Sequence, residues 1–132
     1  MAVQRVLFVC VGNACRSQMA EGFARTYGKD VMTPESAGLS PAMIVPQATR
    51  ETMAEKNIDI SPQFPKPVTM FGRGHFDMIV NISGYPIPGY PEALEWQVDD
   101  PIGGTDEEYR VARDQIEDLV MKLILKLRRD SK

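Results

Sequence analysis

From Val3 to Val9 the chain is nearly all apolar and closes on Val6-Leu7-Phe8-Val9. A strand with one wet face alternates polar and apolar positions, whereas a run without alternation predicts a strand buried on both faces, as in the centre of a parallel sheet. The rhythm then changes. Ala20, Phe23, Ala24 and Tyr27 recur at helical spacing, with Gly28 as the stop. Val31 to Ala37 predicts a short strand, and Pro34, which has no N–H for a ladder, puts it at a sheet edge. Pro46 sits in the first turn of a helix running to about Asn57, and Ile58 to Ser61 leaves it. The prolines and glycines between Pro62 and Gly74 predict loop with at most a short helix. Phe76 to Ile82 is a third core strand ending near Ser83, Gly84 to Pro91 is turn-rich, and Leu94 to Val98 is a fourth strand. The last helix is the clearest element. Thr105 and Glu108 form a capping box, Asp106 and Glu107 suit the positive helix end, and Tyr109, Ala112, Ile116, Leu119, Leu123 and Leu127 make one apolar stripe.

Strands alternating with helices predict an open parallel α/β sheet with right-handed crossovers, in which ligands gather outside the carboxyl ends of the strands. At that edge, between the first strand and the first helix, stands Cys10-Val11-Gly12-Asn13-Ala14-Cys15-Arg16-Ser17. A strand that stops at a tight Gly/Asn turn and then opens a helix leaves several N–H groups aimed at one spot, with the positive end of the helix dipole behind them. Val11 to Ser17 therefore read as a phosphate cradle. Arg16 adds a guanidinium fork for two equatorial oxygens, and Cys10 adds a nucleophile. A free cysteine is only roughly 3% thiolate at neutral pH, but donors and a helix N-terminus favour its anionic form. Ser17 is placed to cap the helix and to donate a hydroxyl hydrogen bond to Cys10, while Asn13 tolerates a left-handed backbone and pins the loop from inside.

Composition narrows the partners. The 132 residues, 43% hydrophobic and 25% charged, suit one domain spanning 1–132. A net charge of -3 carries no basic footprint for nucleic acid, and the late cluster Lys122, Lys126, Arg128 and Arg129 reads as a solvated helix end. No apolar run is long enough to span a membrane, and the stretch after Arg5 is too short and too soon broken by Asn13 and Arg16 for a secretory segment. The expected location is the cytoplasm, where Cys10 and Cys15 stay free thiols. With one histidine besides two cysteines, no structural metal site and no cofactor are expected.

Hydrolysis of a phosphate ester also needs a proton for the leaving oxygen and a base for the water that releases the phosphocysteine. Asp100 is the candidate, since Pro101 restricts its backbone and it follows a core strand; Asp99 is the alternative turn-capping carboxylate. These residues resemble the low-molecular-weight protein tyrosine phosphatase superfamily. Its motif of Cys, five residues, Arg and Ser is matched from Cys10 to Ser17, and its late Asp-Pro by Asp100-Pro101. The resemblance covers the whole chain. It implies a four-stranded parallel sheet in the order 2-1-3-4 with helices on both faces, a phosphocysteine intermediate, and Cys10, Arg16 and Asp100 as nucleophile, clamp and acid.

Within that superfamily, Cys15 to Gly22 and Ser36-Ala37-Gly38 are similar to the arsenate reductase branch. Thioredoxin-coupled members of that branch relay oxidation through two further cysteines after the third core strand, where this chain has Ile82-Ser83-Gly84-Tyr85. A reductase would then recruit an external small thiol or use Cys15. The phosphatase branch carries aromatic residues after its Asp-Pro, where this chain has Ile102-Gly103-Gly104, leaving Trp96, Tyr85 or Tyr90 as replacements or as packing residues. Some reductases hold potassium through residues matching Asn13, Glu21 and Ser36. Lys66 falls near their fourth ligand, either pairing with Glu21 in place of the ion or solvated on its loop. Cys15, in turn, either fills the underside of the loop or forms a reversible disulfide with Cys10, which needs a Cα separation of about 4.4 to 6.8 Å. The expected function is a cysteine-dependent phosphatase acting on a phosphorylated protein or small molecule. The alternatives are an arsenate reductase served by an external thiol and a non-catalytic phosphate-binding module.

Overall fold

The computed structural model describes residues 3–131. Strand β1 (Gln4–Cys10) lies inside a parallel sheet between β2 (Met32–Gly38) and β3 (Met78–Asn81), with β4 (Leu94–Glu95) beyond β3, so the order is β2-β1-β3-β4. The unalternating apolar run has its predicted consequence. Val6, Phe8 and Cys10 face one core, and Leu7 and Val9 face the other. Pro34 sits on the edge strand β2, where its missing N–H breaks no inner ladder.

Helices α1 (Arg16–Tyr27), α2 (Gln47–Ala54) and α3 (Asp106–Asp130) all bury side chains in the core on the Phe8 side. The helical cover expected of the opposite face is there a single 3-10 turn, Val68–Met70, together with Ile87, Tyr90 and Phe71 from the flanking loops. Pro-rich loop cannot carry a longer helix. Helix α1 stops at Gly28 as predicted. Helix α2 is shorter than expected: Pro46 is its N-cap rather than part of its first turn, and it ends at Ala54, with Asn57 in a left-handed turn at φ 60°.

The capping box of α3 forms with both its bonds. Its buried stripe continues through Val120 and Ile124, while Leu119 is only partly buried, because 3.6-residue periodicity carries the inner face from Ile116 to Val120. Three of the four late basic residues are tied to carboxylates: Lys122 to Asp118 at 2.8 Å, Lys126 to Asp130 at 2.7 Å and Arg128 to Asp30 at 2.7 Å. Only Leu94–Glu95 of the expected fourth strand pairs with β3. The Val98 carbonyl faces Arg16 instead of a ladder. Among the described residues no helix is long and apolar enough to cross a membrane.

Candidate active site

The loop between β1 and α1 lies at the carboxyl edge of the sheet, and its carbonyls are held outward one after another. Cys10 O accepts from Leu39 N (3.1 Å), Val11 O from Ser40 N (2.8 Å), Gly12 O from Ala42 N (2.9 Å) and Cys15 O from Met19 N (2.8 Å). Side chains hold the other two: Gln18 Nε2 donates to Asn13 O at 2.9 Å and Thr49 Oγ1 to Ala14 O at 3.0 Å. A peptide plane whose carbonyl points out turns its N–H in. The N–H groups of Gly12, Asn13, Ala14 and Cys15 have no backbone partner among the described residues, and Asn13 takes the left-handed φ of 50° that curls the loop. The result is a nest of donors for a tetrahedral oxyanion.

Cys10 stands at the floor of the nest, 3% exposed. Asn13 Nδ2 donates to Ser17 Oγ at 2.7 Å, which leaves the hydroxyl proton of Ser17 for the Cys10 sulfur 2.8 Å away. Ser17 thus serves the thiol and does not cap α1; the N-cap position is Cys15, without a side-chain cap bond. Arg16 Nη1 donates to the carbonyls of Ile82 (2.7 Å) and Val98 (2.9 Å), beyond the ends of β3 and β4. That anchoring leaves Nε and Nη2, the forked side of the guanidinium, for a ligand. Asp100 Oδ2 lies 3.5 Å from Arg16 Nη2, and its other oxygen accepts from Ile102 N at 3.1 Å. Its side chain is 46% exposed, at the solvent side of the clamp. Asp99 is exposed and beside it, lining the same 220 Å³ cavity with Thr105 and Glu108.

Gln18, Thr49 and the carbonyls of Ile82 and Val98 were not singled out from the sequence. Gln18 carried little signal, since it follows the polar Arg16 and Ser17 in the first turn of α1. The carbonyls carried none.

Lys66 is not the solvated loop lysine of the simpler reading. Its side chain is 6% exposed, with Nζ 3.8 Å from Glu21 Oε1, 3.9 Å from Glu35 Oε1 and 5.0 Å from the centre of the Phe64 ring. Glu21 also pairs with Arg25 (2.6 Å) and accepts from Ser36 Oγ (2.5 Å). Both oxygens of this carboxylate therefore have positive or donating partners, and the residues present do not fit the potassium ion that the resemblance implies.

Burial pushes the Cys15 thiol up to about 12 from 9.0, against a hydrogen bond from Thr49 that lowers it. Cys15 is 2% exposed with its Sγ 4.0 Å from Met19 Sδ, and Cys10 and Cys15 are both free thiols in this structure. A group whose folded-state value is raised contributes stability below its unfolded value and loses it as pH rises from about 9 to about 12. Replacing Cys15 with alanine is expected to flatten the alkaline loss of stability by about 1 kcal/mol between pH 9 and 10, measured by urea unfolding. Equal slopes in both proteins would refute it.

Of the aromatic replacements, Trp96 is buried and packs on Phe8 with ring centres 5.8 Å apart, and Tyr90 packs into the second core. Tyr85 alone is open, at 63% exposure, while Ile102 after the Asp-Pro is 47% exposed.

Known proteins place this geometry. The chain is 37% identical over 131 residues to a glutaredoxin arsenate reductase of Synechocystis sp., covering 95% of this chain and 99% of that protein. It superposes on a solved arsenate reductase in the phosphate binding state with a TM-score of 0.88 at 35% identity, covering 95% of this chain and 99% of the other. A low molecular weight protein tyrosine phosphatase from T. tengcongensis follows at 0.78 and 30% identity, over 93% of this chain and 99% of the other. The family model described as low molecular weight phosphotyrosine protein phosphatase matches residues 5–87, which take in β1 from Arg5 on, the cradle, β2 and β3. An enzyme family built on one strand-loop-helix cradle thus spans both chemistries, and this chain belongs to the low molecular weight phosphotyrosine protein phosphatase family.

Proposed function

We propose that the protein is a cysteine-dependent phosphatase for phosphate monoesters, with Cys10 as nucleophile, Arg16 as clamp and Asp100 as acid and base. The observation that carries this reading is Asp100 held at 3.5 Å over the Arg16 fork while half exposed, where a leaving oxygen departs toward solvent. In the first step the Cys10 sulfur attacks phosphorus in line with the ester oxygen, which takes the Asp100 proton as its bond breaks. The nest and the Arg16 fork hold the three equatorial oxygens as charge builds on them. Asp100, now a carboxylate, takes a proton from water as that water attacks the phosphocysteine, and inorganic phosphate leaves. Only Cys10 acts as a nucleophile in this scheme, and Cys15 is buried. The free thiols suit a reducing cytoplasm.

Arsenate reduction is the second reading, favoured by the 37% identity to the Synechocystis reductase. The one further cysteine of the chain, Cys15, is buried, so this reading recruits an external thiol. Here the Cys10 thiolate displaces hydroxide from arsenate and an external thiol attacks the Cys10 sulfur. Arsenite leaves with the electron pair, and a mixed disulfide remains for a second thiol to reduce. Hydrolysis of an aryl phosphate measured beside arsenate reduction with glutathione, mycothiol and thioredoxin systems separates the two. Fast hydrolysis is expected, and Asp100→Asn is expected to slow it by about 10² to 10⁴. Arsenate turnover with one of the thiols, without hydrolysis, would replace the first reading by the second.

A further inference from the structure

Strand β2 ends at Gly38, which pairs in register with Cys10. A Cβ at this position would stand 2.8 Å from Val11 O, 2.9 Å from Asn13 N and 3.0 Å from Asn13 Cβ. The first two are backbone atoms of the cradle, so no rotamer change relieves the contact. The loop itself would have to move, by about 0.5 Å, before ordinary packing distances return.

The other side of Gly38 is closed as well. Gly38 N donates to Lys66 O at 2.8 Å, and Gly38 bridges Pro67 in parallel fashion. Lys66 N then donates to Asn13 Oδ1 at 3.0 Å, and the amide of Asn13 continues to Ser17 and the Cys10 sulfur. Gly38 is therefore held between the cradle and the segment that orients Asn13, and a side chain there pushes on both ends of the chain of bonds that reaches Cys10.

We propose that Gly38 is a positioning residue of the active site: its missing side chain lets the cradle close behind Cys10, and this closure sets both the reactivity of the thiol and the affinity of the nest. The proposal rests on Cys10 as nucleophile and holds whichever oxyanion is turned over. Gly22 supplies the matched control. A Cβ at Gly22 would also be crowded, at 2.9 Å from Ile60 Cγ2 and 3.0 Å from Met53 Cε, but by side-chain ends of the core.

The test is alkylation of Cys10 by iodoacetamide as a function of pH, with and without inorganic phosphate, in wild type, Gly38→Ala and Gly22→Ala. Gly38→Ala is expected to lose about tenfold or more of the neutral-pH rate and to need about tenfold more phosphate for protection. Gly22→Ala should melt earlier with an unchanged profile. A wild-type profile and protection in Gly38→Ala, or an equal change in Gly22→Ala, would overturn the proposal. Wild type that alkylates as a free thiol without phosphate protection would instead sink the nucleophile assignment. Should Gly38→Ala fail to fold, hydrogen exchange on wild type gives the answer. Phosphate is expected to slow exchange of the Gly38 and Leu39 N–H groups about threefold or more, and no change there would count against the coupling.

Discussion

Serine in place of Cys10 is expected to abolish turnover, by about four orders of magnitude or more, while inorganic phosphate still binds. The two effects separate because they depend on different atoms. Attack needs the sulfur as an anion, and a serine hydroxyl in the same place stays neutral at working pH. Four orders of magnitude correspond to about 5.4 kcal/mol of lost transition-state stabilisation. Binding needs the inward N–H groups and the Arg16 fork, and the bonds that hold the loop carbonyls outward involve no Cys10 side-chain atom. Steady-state hydrolysis and phosphate protection against thermal unfolding read the two properties in one preparation. Turnover retained in Cys10→Ser would return the protein to the class of phosphate-binding modules with an incidental hydrolase, and phosphate binding lost with the sulfur would mean that the cradle does not stand without it.

Lysine in place of Arg16 should fail in the opposite pattern, losing binding and stability along with the reaction. An ammonium keeps the charge but not the planar fork, so kcat/KM is expected to fall by about 10² to 10³ and phosphate protection to weaken with it. Stability falls for a separate reason. Arg16 is 6% exposed, and its Nη1 satisfies the carbonyls of both Ile82 and Val98. A lysine cannot reach both, and a buried carbonyl left without a donor costs about 1 to 3 kcal/mol. Chemical denaturation and phosphate titration of Arg16→Lys check the two losses. Wild-type phosphate protection in this variant would remove Arg16 from the clamp role.

That double role of Arg16 marks the boundary of what could be read from the chain. The cradle was legible because its parts are close in sequence: Asn13, Ser17 and Cys10 meet within a single strand-to-helix turn. The same holds for the Thr105–Glu108 capping box and for the double-sided burial of β1. The anchors of Arg16 lie 66 and 82 positions away, and no local pattern announces a backbone carbonyl as a partner. Whether Lys66 pairs with Glu21 or is solvated stayed open in the sequence for a comparable reason. Its burial depends on Glu21 and Glu35, brought to it only when β2 pairs with β1 and α1 packs over them. Trp96 kept open alternatives in the sequence, and the core closed over it.

Local chemistry, then, was determined by the sequence alone: a strand that stops, a loop that must curl, a helix dipole, a thiol and a guanidinium at fixed spacing, all set by backbone preferences a few residues long. Tertiary structure decided which way each charged group faces and what holds the loop shut. Sheet order brought the ends of β3 and β4 under Arg16 and put Asp100 over its fork, and the close approach of β2 left Gly38 no room for a side chain. Those decisions fall to packing because contacts between distant segments are formed by the burial of whole faces, which no single short stretch of sequence encodes.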